Sequence, residues 1–212
     1  EVLHLLKSKF GYDSFRPGQE DVISSLLGGR NVLAVMPTGS GKSMCFQIPA
    51  LIRDGLTVVV SPLVALMEDQ VAALRLAGIE AGTINSSRHR EDNVNTWRDV
   101  AAGVVRLLYI APERLMTDRM ISALRKLPVT MIAVDEAHCI SRWGPSFRPD
   151  YENLGSLRSH FPEVPMAALT ATADEATRND IHDKLFGGDG NVYVTGFDRP
   201  NIQYRISLKT NP

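Results

Sequence analysis

A short apolar run, Asn31-Val32-Leu33-Ala34-Val35, passes straight into the octet Met36-Pro37-Thr38-Gly39-Ser40-Gly41-Lys42-Ser43, and a segment able to be helical continues to Arg53. A strand, a glycine turn and a helix in immediate succession place the turn at the carboxyl end of a strand in an α/β layer. Two glycines let the backbone curl so that successive N–H groups point at an anion, and the helix N-terminus adds partial positive charge. Lys42 would neutralise β- and γ-phosphates, and the Ser43 hydroxyl would ligate magnesium. The pattern G-x-x-x-x-G-K-[ST] is met only in its second half, because Met36 stands at the first glycine. The plainer alternative is a glycine-rich turn before a helix. The reading adopted is a nucleoside triphosphate held by residues 36–43.

The rest of the chain repeats the alternation. Strands are predicted at 31–35, 57–61, 104–110, 129–134, 166–170 and 192–195. Helical stretches are predicted near 18–27, 43–53, 63–77, 88–101, 113–126, 151–160 and 173–185. In the first of these Val22, Ile23, Leu26 and Leu27 share one face at helical spacing. Runs such as Val58-Val59-Val60 and Met131-Ile132-Ala133-Val134 suit parallel strands buried on both faces. The pattern predicts an α/β fold, a central, mostly parallel sheet with helices on both faces, right-handed crossovers, and ligands at the carboxyl ends of the strands.

Composition narrows the function classes. At 212 residues, 44% hydrophobic and 22% charged, the chain suits one large globular domain. A net charge of −1 gives no overall basic field, so any nucleic-acid contact must come from local patches. Cys45 and Cys139 are the only cysteines and cannot make a four-ligand zinc site, so no zinc is expected within this chain and a reduced setting is preferred. The first residues lack a secretion-signal pattern and no apolar run reaches about 18 residues, so neither secretion nor a membrane partner is expected.

The second half of a nucleotide site is predicted where Met131–Val134 runs into Asp135-Glu136-Ala137-His138. An acid at a strand tip faces the phosphates, so Asp135 would hold magnesium and Glu136 would orient or deprotonate the attacking water. Lys42, Asp135 and Glu136 are thus the candidate catalytic residues, with Ser43 and Asp135 on the metal. His138 is read as a relay. The alternative is a solvated acidic turn.

Asp-Glu-Ala-His together with Pro-Thr-Gly-Ser-Gly-Lys-Ser resembles a superfamily 2 helicase, and further segments resemble the RecQ family of DNA helicases. These are Phe10-Gly-Tyr-Asp-Ser-Phe-Arg-Pro-Gly-Gln19, Ser61-Pro-Leu-Val-Ala-Leu-Met67, Tyr109-Ile-Ala-Pro-Glu-Arg-Leu115, Leu169-Thr-Ala-Thr-Ala173 and Phe197-Asp-Arg-Pro-Asn201. The resemblance covers about the whole chain. It implies a RecA-like P-loop NTPase lobe over 1–200, with 1–28 including the adenine-reading segment and 201–212 beginning a linker. It also implies ATP and Mg²⁺ as cofactors and DNA-stimulated, 3′–5′ unwinding in repair or recombination. The partners implied are single-stranded and forked DNA and a second RecA-like lobe. Without that lobe's arginine finger, worth about 10³–10⁵ in rate, slow ATP hydrolysis is expected. The location expected is cytoplasmic, on the nucleoid in a bacterium or in the nucleus of a eukaryote.

The resemblance assigns further roles. Gln19 has the donor and acceptor needed for the N6/N7 edge of adenine, and Arg16 and Tyr12 could stack on the base. Read alone, Phe15–Gln19 is a turn entering a helix. Thr170 and Thr172, with His138, would couple hydrolysis to motion, although Thr172 also suits a helix cap. Ser141–Tyr151 resembles the family's aromatic DNA-sensing loop. In it Trp143 and Phe147 offer stacking faces and Arg142 and Arg148 meet phosphates. Here Arg142, Pro145 and Ser146 replace the family's usual Gln, His and Asp. The alternative is a loop buried by its own Trp and Phe. By the same resemblance Arg114 contacts DNA backbone, whereas Arg88-His89-Arg90 reads as a solvated helix start and Trp97 as packing. Three rival functions stay open: a P-loop kinase or GTPase, a nucleic-acid-binding module with a dead nucleotide site, and a DEAH-type RNA helicase.

Overall fold

The computed structural model describes residues 1–196, so the Phe197–Asn201 segment and the predicted linker lie outside the described residues. Seven strands form one sheet: β1 (Val32–Val35), β2 (Leu56–Val60), β3 (Ala81–Ile84), β4 (Leu107–Ile110), β5 (Val129–Val134), β6 (Met166–Thr170) and β7 (Asn191–Val194). Their order is β3-β4-β2-β5-β6-β1-β7, and every pair is parallel. Parallel strands need long crossovers, and helices supply them.

Alternate residues of the strands face two cores. Leu33, Val58, Leu108, Ile132 and Ala168 point to one face, covered by α5 (Arg90–Ala101), α7 (Asp118–Leu124), α9 (Leu157–His160) and α10 (Glu175–Phe186). Ala34, Val59, Tyr109, Ala133 and Leu169 point to the other, under α2 (Gln19–Leu27), α3 (Met44–Ile52) and α4 (Val64–Leu76). Burial on both faces explains why the central strands read as unbroken apolar runs.

Four expectations need correction. The strand β3 went unpredicted because Ala81-Gly82 leaves only Thr83 and Ile84 as β-branched residues; Gly82 is used for close approach, since a Cβ there would lie 2.7 Å from Thr96 Cγ2 on α5. Helix α1 (Val2–Phe10) also went unpredicted, and its Leu6 packs with Ile23 and Ile48. The predicted helix 113–126 is two pieces, α6 (Pro112–Leu115) and α7, because the Thr117 side chain accepts from Met120 N and starts a new helix. The predicted helix 151–160 is α8 (Pro149–Glu152), a 3-10 turn Asn153–Ser156 and α9. Among the described residues no helix is long and apolar enough to cross a membrane.

Candidate nucleotide site and aromatic loop

Three neighbouring strand tips build the site. The octet follows β1, Thr170 ends β6, and Asp135 follows β5, with Val35 paired to Thr170 and Val134 to Ala168. At about 4.8 Å per strand the tips of β1 and β5 stand roughly 10 Å apart. Gly39 and Gly41 have φ of 79° and 78°, a region open to glycine and strained for other residues, so the turn itself demands them. Met36 is fully buried, and Cys45 Sγ lies 3.7 Å from its Sδ. The side chain that replaces the usual glycine therefore points into the core, leaving Met36 to the loop through its main chain. Its carbonyl accepts from Lys42 Nζ at 3.4 Å. Pro37, Thr38 and Ser40 complete the curl, and the buried Ser40 hydroxyl has no hydrogen-bond partner among the described residues.

The N-terminal segment grips this loop. Gln19, 3% exposed, donates through Nε2 to Gly41 O at 3.0 Å and Ser40 O at 3.2 Å, while its Oε1 accepts from Arg16 N. The Arg16 guanidinium donates to Gly39 O. Both side chains named as base readers thus brace the loop from outside in this geometry. With Tyr12 and Ser43 they line a cavity of about 250 Å³. Tyr12 is half exposed there.

On the other side stands a chain of acids and hydrogen-bonded side chains. Asp135 is 7% exposed and its Oδ1 accepts from Glu136 N at 2.9 Å. Burial and then the Glu136 charge push its carboxyl up to about 6, with Lys42 pulling the other way. It makes no salt bridge among the described residues. Glu136 has φ 51° and ψ 42°, the one non-glycine residue with positive φ among those described. Such a backbone costs roughly 1–2 kcal/mol and is held here by the 3-10 turn Ala137–Ile140 that follows. His138 Nδ1 lies 2.7 Å from Thr170 Oγ1 and 3.4 Å from Glu136 Oε2. A proton on Nδ1 satisfies all partners, since the Thr170 hydroxyl is then free to donate to Thr172 O at 3.1 Å. The tips of β5 and β6 are thereby linked. Thr172 takes part through its main chain and caps nothing. The cap of α10 is Asp174, whose side chain accepts from Thr177 N, a bond that holds its carboxyl below the usual range.

The donor set suits magnesium arriving with phosphates. Ser43 and Asp135 offer hard oxygens, and the buried carboxylate gains from a cation beside it. No cluster of three or more His, Cys, Asp or Glu able to cage a metal occurs among the described residues.

The loop Ser141–Arg148 leaves the same edge. Trp143 is 76% exposed, so its indole does not bury the loop. Arg142 binds Glu152 through two bonds, Nε at 3.1 Å and Nη2 at 2.8 Å, and lies 5.4 Å from the Phe147 ring centroid. Its guanidinium thus already has a carboxylate and a ring as partners, and this pairing holds Glu152 below the usual carboxylate range. Arg148 is exposed, and its N–H donates to Cys139 O. Arg114 is exposed on α6, away from this loop in sequence. Sequence reasoning missed two residues here. Glu152 is one, and the other is Tyr151, fully buried, whose hydroxyl donates to Asp135 O at 2.8 Å. Both were within the quoted stretch or next to it, but only folding shows what they reach. Tyr151→Phe is expected to cost about 1 kcal/mol of unfolding free energy, measurable by urea denaturation.

The model of the DEAD/DEAH box helicase family matches residues 16–181, well over half of the chain. The chain belongs to the DEAD/DEAH box helicase family. Within it, this lobe is 50% identical over 211 residues to the ATP-dependent DNA helicase RecQ of Haemophilus influenzae, covering 100% of this chain and 34% of that protein. It is 43% identical over 204 residues to the Bacillus subtilis ATP-dependent DNA helicase RecQ, covering 95% and 34%. The lobe spans about a third of the length of these curated relatives. The DEAD-box helicase Mss116 bound to ssRNA and UDP-BeF has the same fold, with a TM-score of 0.70 at 18% identity over 92% of this chain and 42% of that one. A hypothetical ATP-dependent RNA helicase from Sulfolobus tokodaii gives a TM-score of 0.70 at 18% identity, over 91% and 56%. The expected α/β lobe of a helicase is what fold and family show.

Proposed function

We propose that this lobe binds ATP with magnesium across the tips of β1, β6 and β5. As the motor part of a RecQ-like 3′–5′ DNA helicase, it couples ATP hydrolysis to movement along single-stranded DNA. The carrying observation is the convergence of Lys42 and Ser43 with Asp135 and Glu136 at the carboxyl end of the sheet, on strands with only β6 between them. Lys42 moves from Met36 O to the β- and γ-phosphates, while the N–H groups of the curl hold phosphate oxygens. Ser43 and Asp135 hold the magnesium, which supplies neutralisation of phosphate charge. Glu136 orients the in-line water and accepts its proton. The His138–Thr170–Thr172 chain passes the state of the site from one strand tip to the next. Gln19, with Arg16 and Tyr12, favours adenine beside the loop, and Gln19 exchanges a loop carbonyl for the base when ATP enters.

The partners in this reading are single-stranded and forked DNA and a second RecA-like lobe, and the work is done wherever the chromosome lies. Trp143 and Phe147 stack on unpaired bases, and Arg148 and Arg114 take phosphates. Arg142 stiffens the loop through Glu152. The loop reaches the nucleotide site through Tyr151, which grips the carbonyl of Asp135.

Calorimetry with Mg·ATP tests the site. Saturable binding that Lys42→Ala removes is expected, and a well-folded lobe that releases no heat would end the proposal. For the loop, Trp143→Ala in the full-length protein is expected to lower DNA stimulation of ATP turnover about fivefold or more, the loss of one to three kcal/mol of base stacking. Basal Mg·ATP binding should stay unchanged, and an equal fall in both would make the loop a folding element.

A further inference from the structure

A second depression lies away from the phosphate loop. It has a volume of about 610 Å³ and runs between α5 and the α6–α7 segment. Its charged lining is arginine alone. Arg90 and Arg98 come from α5, Arg114 and Arg119 from the opposite wall, and Arg88 from the loop before α5. Arg88 is engaged internally, donating to Thr96 Oγ1 at 3.0 Å and facing Glu68 at 3.8 Å. The other four are exposed and make no salt bridge among the described residues.

Between these walls the floor is apolar. Val94, 39% exposed, and the half-buried Trp97 rise from α5; Met120 and Ala123 face them from α7. Arg90, Val94, Trp97 and Arg98 fall at i, i+4, i+7 and i+8, one face of a helix. Arg119, Met120 and Ala123 make the facing stripe. Trp97 and Met120 also pack against the α/β core, and the nucleotide site uses none of these groups.

We infer that this groove docks an acidic amphipathic helix of a partner protein. Arg90 and Arg98 on one wall and Arg119 on the other supply the cations, Arg114 being already assigned to DNA backbone, and apolar groups lie between them. An amphipathic helix with carboxylates flanking an apolar stripe is the complement of that cross-section. A single DNA strand carries phosphates along one edge and bases along the other. It asks for successive aromatic platforms, whereas this floor is mainly aliphatic with Trp97 alone. Exposed ion pairs contribute only about 0–1 kcal/mol each, so the guanidinium groups set orientation and association rate, and burial on Val94 and Met120 gives the affinity.

The test uses this chain and a fluorescein-labelled synthetic peptide of about 18 residues, five helical turns. The peptide has Leu and Phe on one stripe and Glu on both flanks. Anisotropy should show saturable binding that weakens at least about tenfold in Arg90→Glu/Arg119→Glu and in Val94→Glu. All of these positions are exposed, so the melting temperature and Mg·ATP binding should remain at the parent values. The ATP readout keeps this inference separate from the proposed function. Equal binding of a scrambled peptide would reduce the groove to unspecific charge and overturn the inference. So would an absence of binding, or displacement of the peptide by oligo-dT, which would make the groove a nucleic-acid surface.

Discussion

Glu136→Gln is expected to slow ATP hydrolysis by about 10²–10⁴-fold, the range for losing a positioned general base, while Mg·ATP still binds. Glutamine keeps the length and the planar end of the side chain but cannot accept the proton of the attacking water. Lys42, Ser43 and Asp135, the groups that hold the triphosphate in the proposed site, are untouched. The left-handed backbone at residue 136 is kept by the turn that follows, and the change does not ask a β-branched residue to adopt it. Single-turnover hydrolysis with protein in excess of ATP measures the rate, and calorimetry measures the binding. An unchanged rate removes Glu136 from the chemistry. Loss of rate and binding in equal measure makes it a structural group.

Asp135→Asn should move stability and function in opposite directions. The carboxyl titrates at about 6 in the fold against an ordinary 3.8, so the folded lobe holds this proton more tightly than the unfolded chain does. Below about pH 4 both states are protonated and the group contributes nothing. Between about 4 and 6 the unfolded chain loses the proton while the lobe retains it, so stability falls as pH rises. Above about 6 the full cost of an ionised buried carboxylate remains, on the order of 3 kcal/mol for two units. An asparagine at 135 has no charge to bury and can still accept from Glu136 N through its Oδ1. In EDTA the variant is therefore expected to melt higher than the parent at pH 7.5, with the difference shrinking towards pH 4. Mg·ATP binding should fall sharply in the same protein. Stability given up at a functional carboxylate is a common trade. A variant that melts lower at pH 7.5, or a difference that does not change with pH, would show that Asp135 is not held in this way.

The residues proposed to form the nucleotide site stand out in the sequence because they lie in contiguous motifs. The octet 36–43 and the run 131–138 each carry strand, turn and functional groups in order, and a parallel sheet needs only to bring two strand tips to one edge. The two apolar faces of the sheet were legible for the same reason, since β-branched runs encode burial on both sides. What stayed hidden depends on distant partners. The sequence offers nothing to connect Tyr151 with Asp135, or Arg142 with Glu152 instead of phosphate. The strand β3 has only Thr83 and Ile84 to favour it locally and is held by β4 and α5.

The amino-acid order by itself determined the kind of layer this chain builds, the glycine loop after β1 and the acids at the tip of β5, because each is fixed within one turn or strand. Tertiary structure alone decided that Met36 turns its side chain into the core and that Gln19 and Arg16 clasp the glycine loop. It also set four arginines around an apolar trough between α5 and α7. These are contacts between segments tens of residues apart, and their geometry follows from strand order and helix packing, which no local window of sequence contains.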